Sequence, residues 1–217
     1  MHIPDGFVNL GTAVTTYAAS AGAIAYSVKR TSAKLQERQV PLMGVTAAFV
    51  FAAQMINFKV AGGTSGHLLG GALVAILLGP WAGTLVITAV LAVQALIFQD
   101  GGLLALGANV FNMAVVGVWS AWGIYRLITR RVAGRRGVLI GSMVSAWASV
   151  VIASLVAAVE LAIAGASPLG VVVPAMGLVH MLIGIGEGLI TVAVVSFVGA
   201  TRSDLLALPT ASQEEAV

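Results

Sequence analysis

From His67 to Gln99 the chain stays apolar for 33 residues. That is too long for one ordinary membrane span of about 20 residues, and the pair Gly79 and Pro80 interrupts it at a natural breaking point. Several further apolar runs follow, each of about twenty residues. Membrane strands would instead give segments of about ten residues with a polar inner face, so helices are the better reading. Composition agrees: 59% of the 217 residues are hydrophobic and 9% are charged, with a mean hydropathy of +1.02. Those values lie outside the range of soluble domains. The expected fold class is an all-α integral membrane protein, a bundle of helices in lipid.

The chain has no Cys, which removes disulfides, thiolate metal sites and cysteine nucleophiles together. A metal site must use N or O ligands. The isoelectric point near 9.7 does not point to nucleic acid, because the basic residues sit in short clusters beside apolar spans, where topology accounts for them.

Those clusters fix an expected orientation. A first span, Leu10 to Val28, is followed by Lys29, Arg30, Lys34 and Arg38, which the positive-inside rule places in the cytoplasm. The amino terminus is then outside, and a second span, Val40 to Asn57, returns the chain to the outer face. The next basic cluster, Arg126, Arg130, Arg131, Arg135 and Arg136, is cytoplasmic only if residues 67–99 cross twice. Spans at Gly107 to Leu127, Gly137 to Ala164 and Pro174 to Ala200 complete a seven-helix bundle with an inside carboxyl terminus. Ten of the eleven Lys and Arg residues then lie inside, with Lys59 outside. The piece from His67 to Gly79 is about 20 Å long at 1.5 Å per residue, so it is expected to start below the outer surface. The expected organisation is an extracytoplasmic amino-terminal segment at 1–9, a membrane domain at 10–200 and a cytoplasmic polar tail at 201–217.

The opening MHIPDGF has chemistry of its own. The terminal amine of Met1, the amide nitrogen of His2 and its ring Nδ1 together close a five-membered and a six-membered chelate ring on one metal ion. The amide must lose its proton, which Ni(II) and Cu(II) drive because a square-planar field of strong nitrogen donors suits them. His67, at the outer end of its helix, is the natural fourth donor. Pro4, Asp5 and Gly6 suit a turn that folds the terminus into the bundle. Asp5 is expected to accept a hydrogen bond from the free nitrogen of the metal-bound imidazole. A free amine at residue 1 requires that nothing precede it, so the first span is expected to direct membrane insertion without cleavage.

Joined to GGTSGHLLGGALVAILLGPWAG, QALIFQDGGLLALGANVFNM and HMLIGIGEGLIT, the opening MHIPDGF resembles the membrane metal-binding components of cobalt and nickel uptake systems of the energy-coupling-factor type, over roughly residues 1 to 200. The resemblance implies seven helices and an outside amino terminus. It also implies metal capture by Met1, His2 and His67, with Ni2+ or Co2+ as the transported substrate. The cobalt branch often opens with HIMEGF, so HIPDGF and GTSGH look more like the nickel branch. The expected setting is the inner (plasma) membrane of a prokaryote. The chain has no G-x-x-x-x-G-K-[ST] loop to cradle ATP phosphates. It is therefore expected to be a transporter subunit, not an enzyme. The family implies a separate transmembrane coupling protein, a pair of cytoplasmic ATPases and often a small two-span accessory subunit. On the first helix Ala18, Gly22 and Tyr26, and likewise Ala21 and Ala25, repeat at four-residue spacing, which suits either a close partner helix or packing inside the bundle.

Other polar residues need a role. His180 and Glu187 share a face of the last helix, and are read as structural supports for an interrupted helix or loop, with metal relay as the alternative. Asn109 and Asn112 are expected to tie down the outer loop, and Glu160 to lie near water. Two further functions are compatible with parts of the sequence. One is an ATP-independent channel or carrier. The other is an intramembrane serine protease, in which Ser65 of GTSG is the nucleophile and His180 its base.

Overall fold

The computed structural model describes residues 1–33, 35, 37, 39–60 and 64–205. Lys34, Arg38 and most of the tail at 201–217 lie outside the described residues. The element order is α1 (Leu10–Ser32), α2 (Gln39–Gln54), strands β1 (Phe58–Val60) and β2 (Thr64–Gly66), α3 (Gly71–Ile97), α4 (Leu106–Val110), a π-helical segment (Phe111–Gly117), α5 (Val118–Arg131), α6 (Gly134–Ile163) and α7 (Leu169–Thr201). A short 3-10 turn (Ser203–Leu205) follows. By length and composition α3, α6 and α7 are able to cross a membrane. The protein is a mostly helical membrane bundle, as its composition requires.

One expectation about the fold is corrected. The α4, π-helical and α5 segments follow one another without a gap, so the described residues hold six helical rods, not seven. The missing one lies in residues 67–99. Helix α3 runs through as a single element that is broken at Gly79, where φ is 78° and ψ is 167°, outside the helical region and open chiefly to glycine. The chain folds back there: a Cβ placed on Gly83 would sit 3.4 Å from the carbonyl carbon of Val74. The leg before the break has eight residues, about 12 Å at 1.5 Å per residue, far short of a bilayer core of about 30 Å. The helical class stands, with one small addition: the loop between α2 and α3 holds an antiparallel ribbon pairing Phe58 with Gly66, Lys59 with Ser65 and Val60 with Thr64.

Helix ends also shift. Helix α7 begins at Leu169, with Pro168 as its cap, and carries Pro174 inside it, so it starts five residues before the span expected from Pro174. Helix α1 begins with an Asn9 cap whose side chain accepts from the Thr12 amide at 2.8 Å.

Packing orients the bundle. Asn9 donates to the Ile163 carbonyl at 3.4 Å, and Tyr17 donates to the Leu103 carbonyl. These contacts bring the start of α1, the end of α6 and the loop between α3 and α4 to one end. At the other end lie Lys29 and Arg30 of α1, Arg130 and Arg131 of α5, Arg135 and Arg136 at the start of α6, and Arg202 after α7. Helix α3 forms the apolar centre with Leu73, Ile76, Ile87 and Leu91, all buried. On α1, by contrast, Ala18, Ala21, Gly22, Ala25 and Tyr26 are exposed. The small residues among them lie on the surface of the bundle, whereas Tyr26 meets the edge of Trp81 with ring centroids 4.9 Å apart.

Candidate metal-capture site

The first three residues are built into the protein. Met1 and Ile3 are fully buried and His2 is 3% exposed. The Ile3 amide donates to Asn109 Oδ1 at 2.8 Å, and the Ile3 carbonyl accepts from Asn109 Nδ2 at 3.0 Å and from the Gly102 amide at 2.9 Å. One side chain thus satisfies both groups of a buried residue, each of which would cost about 1–3 kcal/mol if left unpaired. Thr64 Oγ1 donates to the His2 carbonyl at 3.1 Å. The terminal amine of Met1 donates to the Ser65 carbonyl and lies 3.3 Å from Ser65 Oγ, which also accepts from the His2 amide at 3.2 Å.

Pro4 to Gly6 turn the chain as expected, with Gly6 at φ 88°. Asp5, however, does not reach an imidazole. Its carboxylate accepts from the amides of Leu103, Leu104 and Ala105 at 3.1, 2.7 and 3.3 Å. It caps the approach to α4, where free amides outnumber acceptors. Gly102 allows this, because a Cβ there would collide with Asp5. The partners of the His2 ring are Gln94 and Asp100 instead.

Those partners set the ring nitrogens. His2 Nε2 faces Gln94 Oε1 at 3.1 Å; with the amide oriented so, Nε2 carries the proton and Nδ1 keeps a lone pair. Nδ1 lies 3.2 Å from Asp100 Oδ1, within ion-pair distance but not aligned for a hydrogen bond. His67 Nδ1 is 2.6 Å from the Leu68 carbonyl, which can only accept, so the lone pair is on Nε2. His67 Nε2 is buried and unpartnered. The two imidazoles stack with centroids 4.3 Å apart and planes inclined by 20°.

The turn that carries His67 is held from two sides. Glu187 of α7 accepts from the Leu69 amide at 2.5 Å and the Gly70 amide at 2.7 Å. Gln54 of α2 donates to the Leu69 carbonyl at 2.7 Å. Glu187 is 2% exposed and Gln54 fully buried. Glu187 braces the loop, the structural support its place on the last helix suggested. His180 is also fully buried; its Nδ1 donates to the Met176 carbonyl at 2.7 Å and its Nε2 has no partner. Ser65 and His180 therefore share no hydrogen bond, and the protease arrangement is not formed. Asn112 Nδ2 donates to Glu160 at 2.6 Å; Glu160 is 7% exposed and so is not bathed in water.

Burial controls the charges. It holds the Met1 amine well below its ordinary value of 8.0, against the pull of Asp100. It likewise holds the His67 ring well below 6.5, helped by the positive terminus and by His2, and it lowers His2. Burial pushes the Asp100 carboxyl up, but His2, the terminal amine and Asn57 outweigh it and leave it below 3.8. At neutral pH both rings are uncharged and Asp100 is ionised.

Among the described residues no three His, Asp or Glu side chains converge as a conventional cage would need. A metal bound here would need main-chain nitrogens. Gln54, Gln94 and Asp100 escaped the sequence reading, although a Gln inside an apolar run is itself a signal of an interior role.

The fold and this cluster define a helical membrane protein whose amino terminus is folded in to form a buried, nitrogen-rich cluster with His67. The family described as "Cobalt uptake substrate-specific transmembrane region" matches residues 2–205, and the chain belongs to it. It is a substrate-specific membrane component of metal uptake. A fused nickel transport protein of Rhodobacter capsulatus is 39% identical over 223 residues, covering 95% of this chain and 64% of that protein. A cobalt transport protein of Pelobacter propionicus is 33% identical over 205 residues, covering 90% of this chain and 89% of its own length. A crystal structure described as a truncated transition metal transporter superposes with a TM-score of 0.86 at 35% identity, covering 91% of this chain and 98% of its own.

Proposed function

We propose that the chain captures Ni2+ or Co2+ at the outer face of a prokaryotic plasma membrane, using the Met1 amine, the His2 amide nitrogen, His2 Nδ1 and His67 Nε2. The observation that carries this reading is the burial together of an amine and two imidazoles whose Nδ1 and Nε2 lone pairs are not used in hydrogen bonds. Ser65 Oγ, beside both the amine and the His2 amide, is placed to receive a hydrogen bond from the bound amine. Four strong nitrogen donors, one a deprotonated amide, favour square-planar Ni(II) over tetrahedral Zn(II). The names of the relatives, one a nickel and one a cobalt transport protein, keep both ions in view.

The basic end of the bundle supports a cytoplasmic carboxyl terminus and an outer capture site. Uptake then requires a separate transmembrane coupling protein, an ATPase pair and, in some systems, a small two-span accessory subunit. The exposed small residues of α1 offer the coupling protein a close approach.

The test is an anaerobic titration of the purified protein with Ni2+ and Co2+, followed by absorption. Wild type should give a yellow, diamagnetic Ni(II) complex, and His2→Ala and His67→Ala should each abolish tight binding. Full affinity in both variants would reject the site.

A further inference from the structure

A buried four-nitrogen site must satisfy a condition on its charge. A dication held by a neutral amine, two neutral imidazoles and one deprotonated amide has a net charge of +1. Here that charge would lie among residues at most 3% exposed. An uncompensated charge in such a place is costly. Asp5, the other nearby carboxylate, spends its oxygens on the amides of 103–105.

Asp100 is held differently. Its Oδ2 accepts from Asn57 Nδ2 at 2.8 Å, which leaves Oδ1 facing His2 Nδ1 at 3.2 Å. Its amide donates to the Gln94 carbonyl at 3.0 Å, and the Gln94 side chain holds the other nitrogen of the His2 ring. One residue of α3 therefore registers both the carboxylate and the imidazole. The loop bends sharply to do so, with Gln99 at φ 55°, a left-handed conformation that a residue with a Cβ adopts at some cost. The Asp100 side chain is 18% exposed, so it stands between solvent and the buried nitrogen cluster. Asp100 Oδ1 thus stands 3.2 Å from Nδ1, the ring atom proposed to take the metal, with its negative charge beside the place a dication would occupy.

We infer that Asp100 is the counter-charge of the capture site: a positioning residue that attracts the incoming dication and neutralises the metal-amide complex once His2 has lost its amide proton. The inference rests on the capture-site reading above. The charges then sum to zero, with +2 from the metal, −1 from the amide and −1 from Asp100. The amide proton leaves to solvent.

The experiment uses the full chain with Ni2+ as the probe. Equilibrium affinity, the visible spectrum and the association rate at several ionic strengths are measured for wild type, His67→Ala, Asp100→Asn and Asp100→Glu. Asp100→Asn keeps an oxygen to accept from Asn57 but removes the charge. It should bind about 10- to 100-fold more weakly, the usual cost of losing a group that supports a metal ligand, with the square-planar band unmoved. Its association rate should also depend less on salt, since an attracting charge has gone. Asp100→Glu restores the charge and should recover most of the affinity. Wild-type affinity and salt dependence in Asp100→Asn would overturn the inference, and so would an Asp100→Glu protein as weak as Asp100→Asn. Should Asp100→Asn fail to fold, Asp100→Glu alone decides, with near-native binding supporting the counter-charge and loss as complete as in His67→Ala rejecting it. Failure of the capture-site reading is distinguishable, because His67→Ala would then bind as wild type does.

Discussion

Residues 1–3 and the helix that soon follows them invert the usual relation between chain position and burial. Termini are ordinarily mobile and solvated, yet Met1 and Ile3 are fully buried and His2 nearly so. Helix α1 is a long apolar element, yet Leu10 is 80% exposed and Val14 60% exposed. Each follows from what its surroundings supply. The terminal segment has polar backbone to satisfy, and Asn109, Thr64, Ser65 and Gly102 satisfy it. Burying the side chains of Met1 and Ile3 contributes about 1.5–3 kcal/mol each, comparable with a backbone ordering cost of about 1–2 kcal/mol for each of the three residues. An exposed helical face of small and apolar residues has no such polar need, and lipid or a partner helix can cover it.

The comparison breaks most readily at Asn109. Asn109→Ala leaves the Ile3 amide unpaired in a closed site, a cost of about 1–3 kcal/mol that falls on the docked terminus alone. Ni2+ affinity should drop by roughly tenfold or more while the helical content by circular dichroism is unchanged; native affinity would show that the terminus docks without this bond.

A second prediction concerns protons. The buried Met1 amine is held well below 8.0, so just below pH 8 it is already neutral and only the His2 amide has a proton to lose. Metal affinity in that range should rise about tenfold per pH unit, with about one proton released per ion. It should steepen toward two protons only once the pH falls through the amine's lowered value. A free peptide with the same opening residues has an ordinary amine, half protonated near pH 8, so it should release more than one proton per ion there and close to two about one pH unit lower. Equal release from protein and peptide would show that burial does not control the amine.

The smallest effect is expected on α1. Gly22→Leu adds bulk to an exposed face with open space around it and should leave Ni2+ binding within about twofold of wild type, because surface changes seldom exceed about 0.5 kcal/mol. Metal uptake by cells carrying the coupling protein and ATPases should fall nonetheless. Loss of binding itself would mean that α1 and the capture site are not separate regions.

The sequence reading succeeded where the signal is local. Apolar run lengths located the helices of the bundle, and Gly79 beside Pro80 located the break in α3. What the pattern did not show was that the leg before the break is only a short re-entrant piece of one element. That depends on which turn folds back and which continues, a tertiary matter. The ribbon at Phe58–Val60 and Thr64–Gly66 is too short to leave a periodicity. At the site, the chelate chemistry of MHIPDGF singled out Met1, His2 and His67, and the structure buries the three together; their role as ligands is the proposal made above. Asp100 and Gln94 were not legible, because their roles depend on a loop bent at Gln99, and Asp5 was misassigned because the amides it caps are about a hundred residues away.

The central claim is that the buried amino-terminal nitrogen is itself a ligand, and one measurement addresses it most directly. Nickel titration of a protein carrying one or two residues added before Met1 displaces the amine from the five-membered chelate ring and leaves both histidines intact. The same extension at the carboxyl terminus is the control. The account predicts that the amino-terminal extension abolishes tight binding and the square-planar spectrum, while the control retains both. Native affinity and an unchanged spectrum in the amino-terminally extended protein would contradict it.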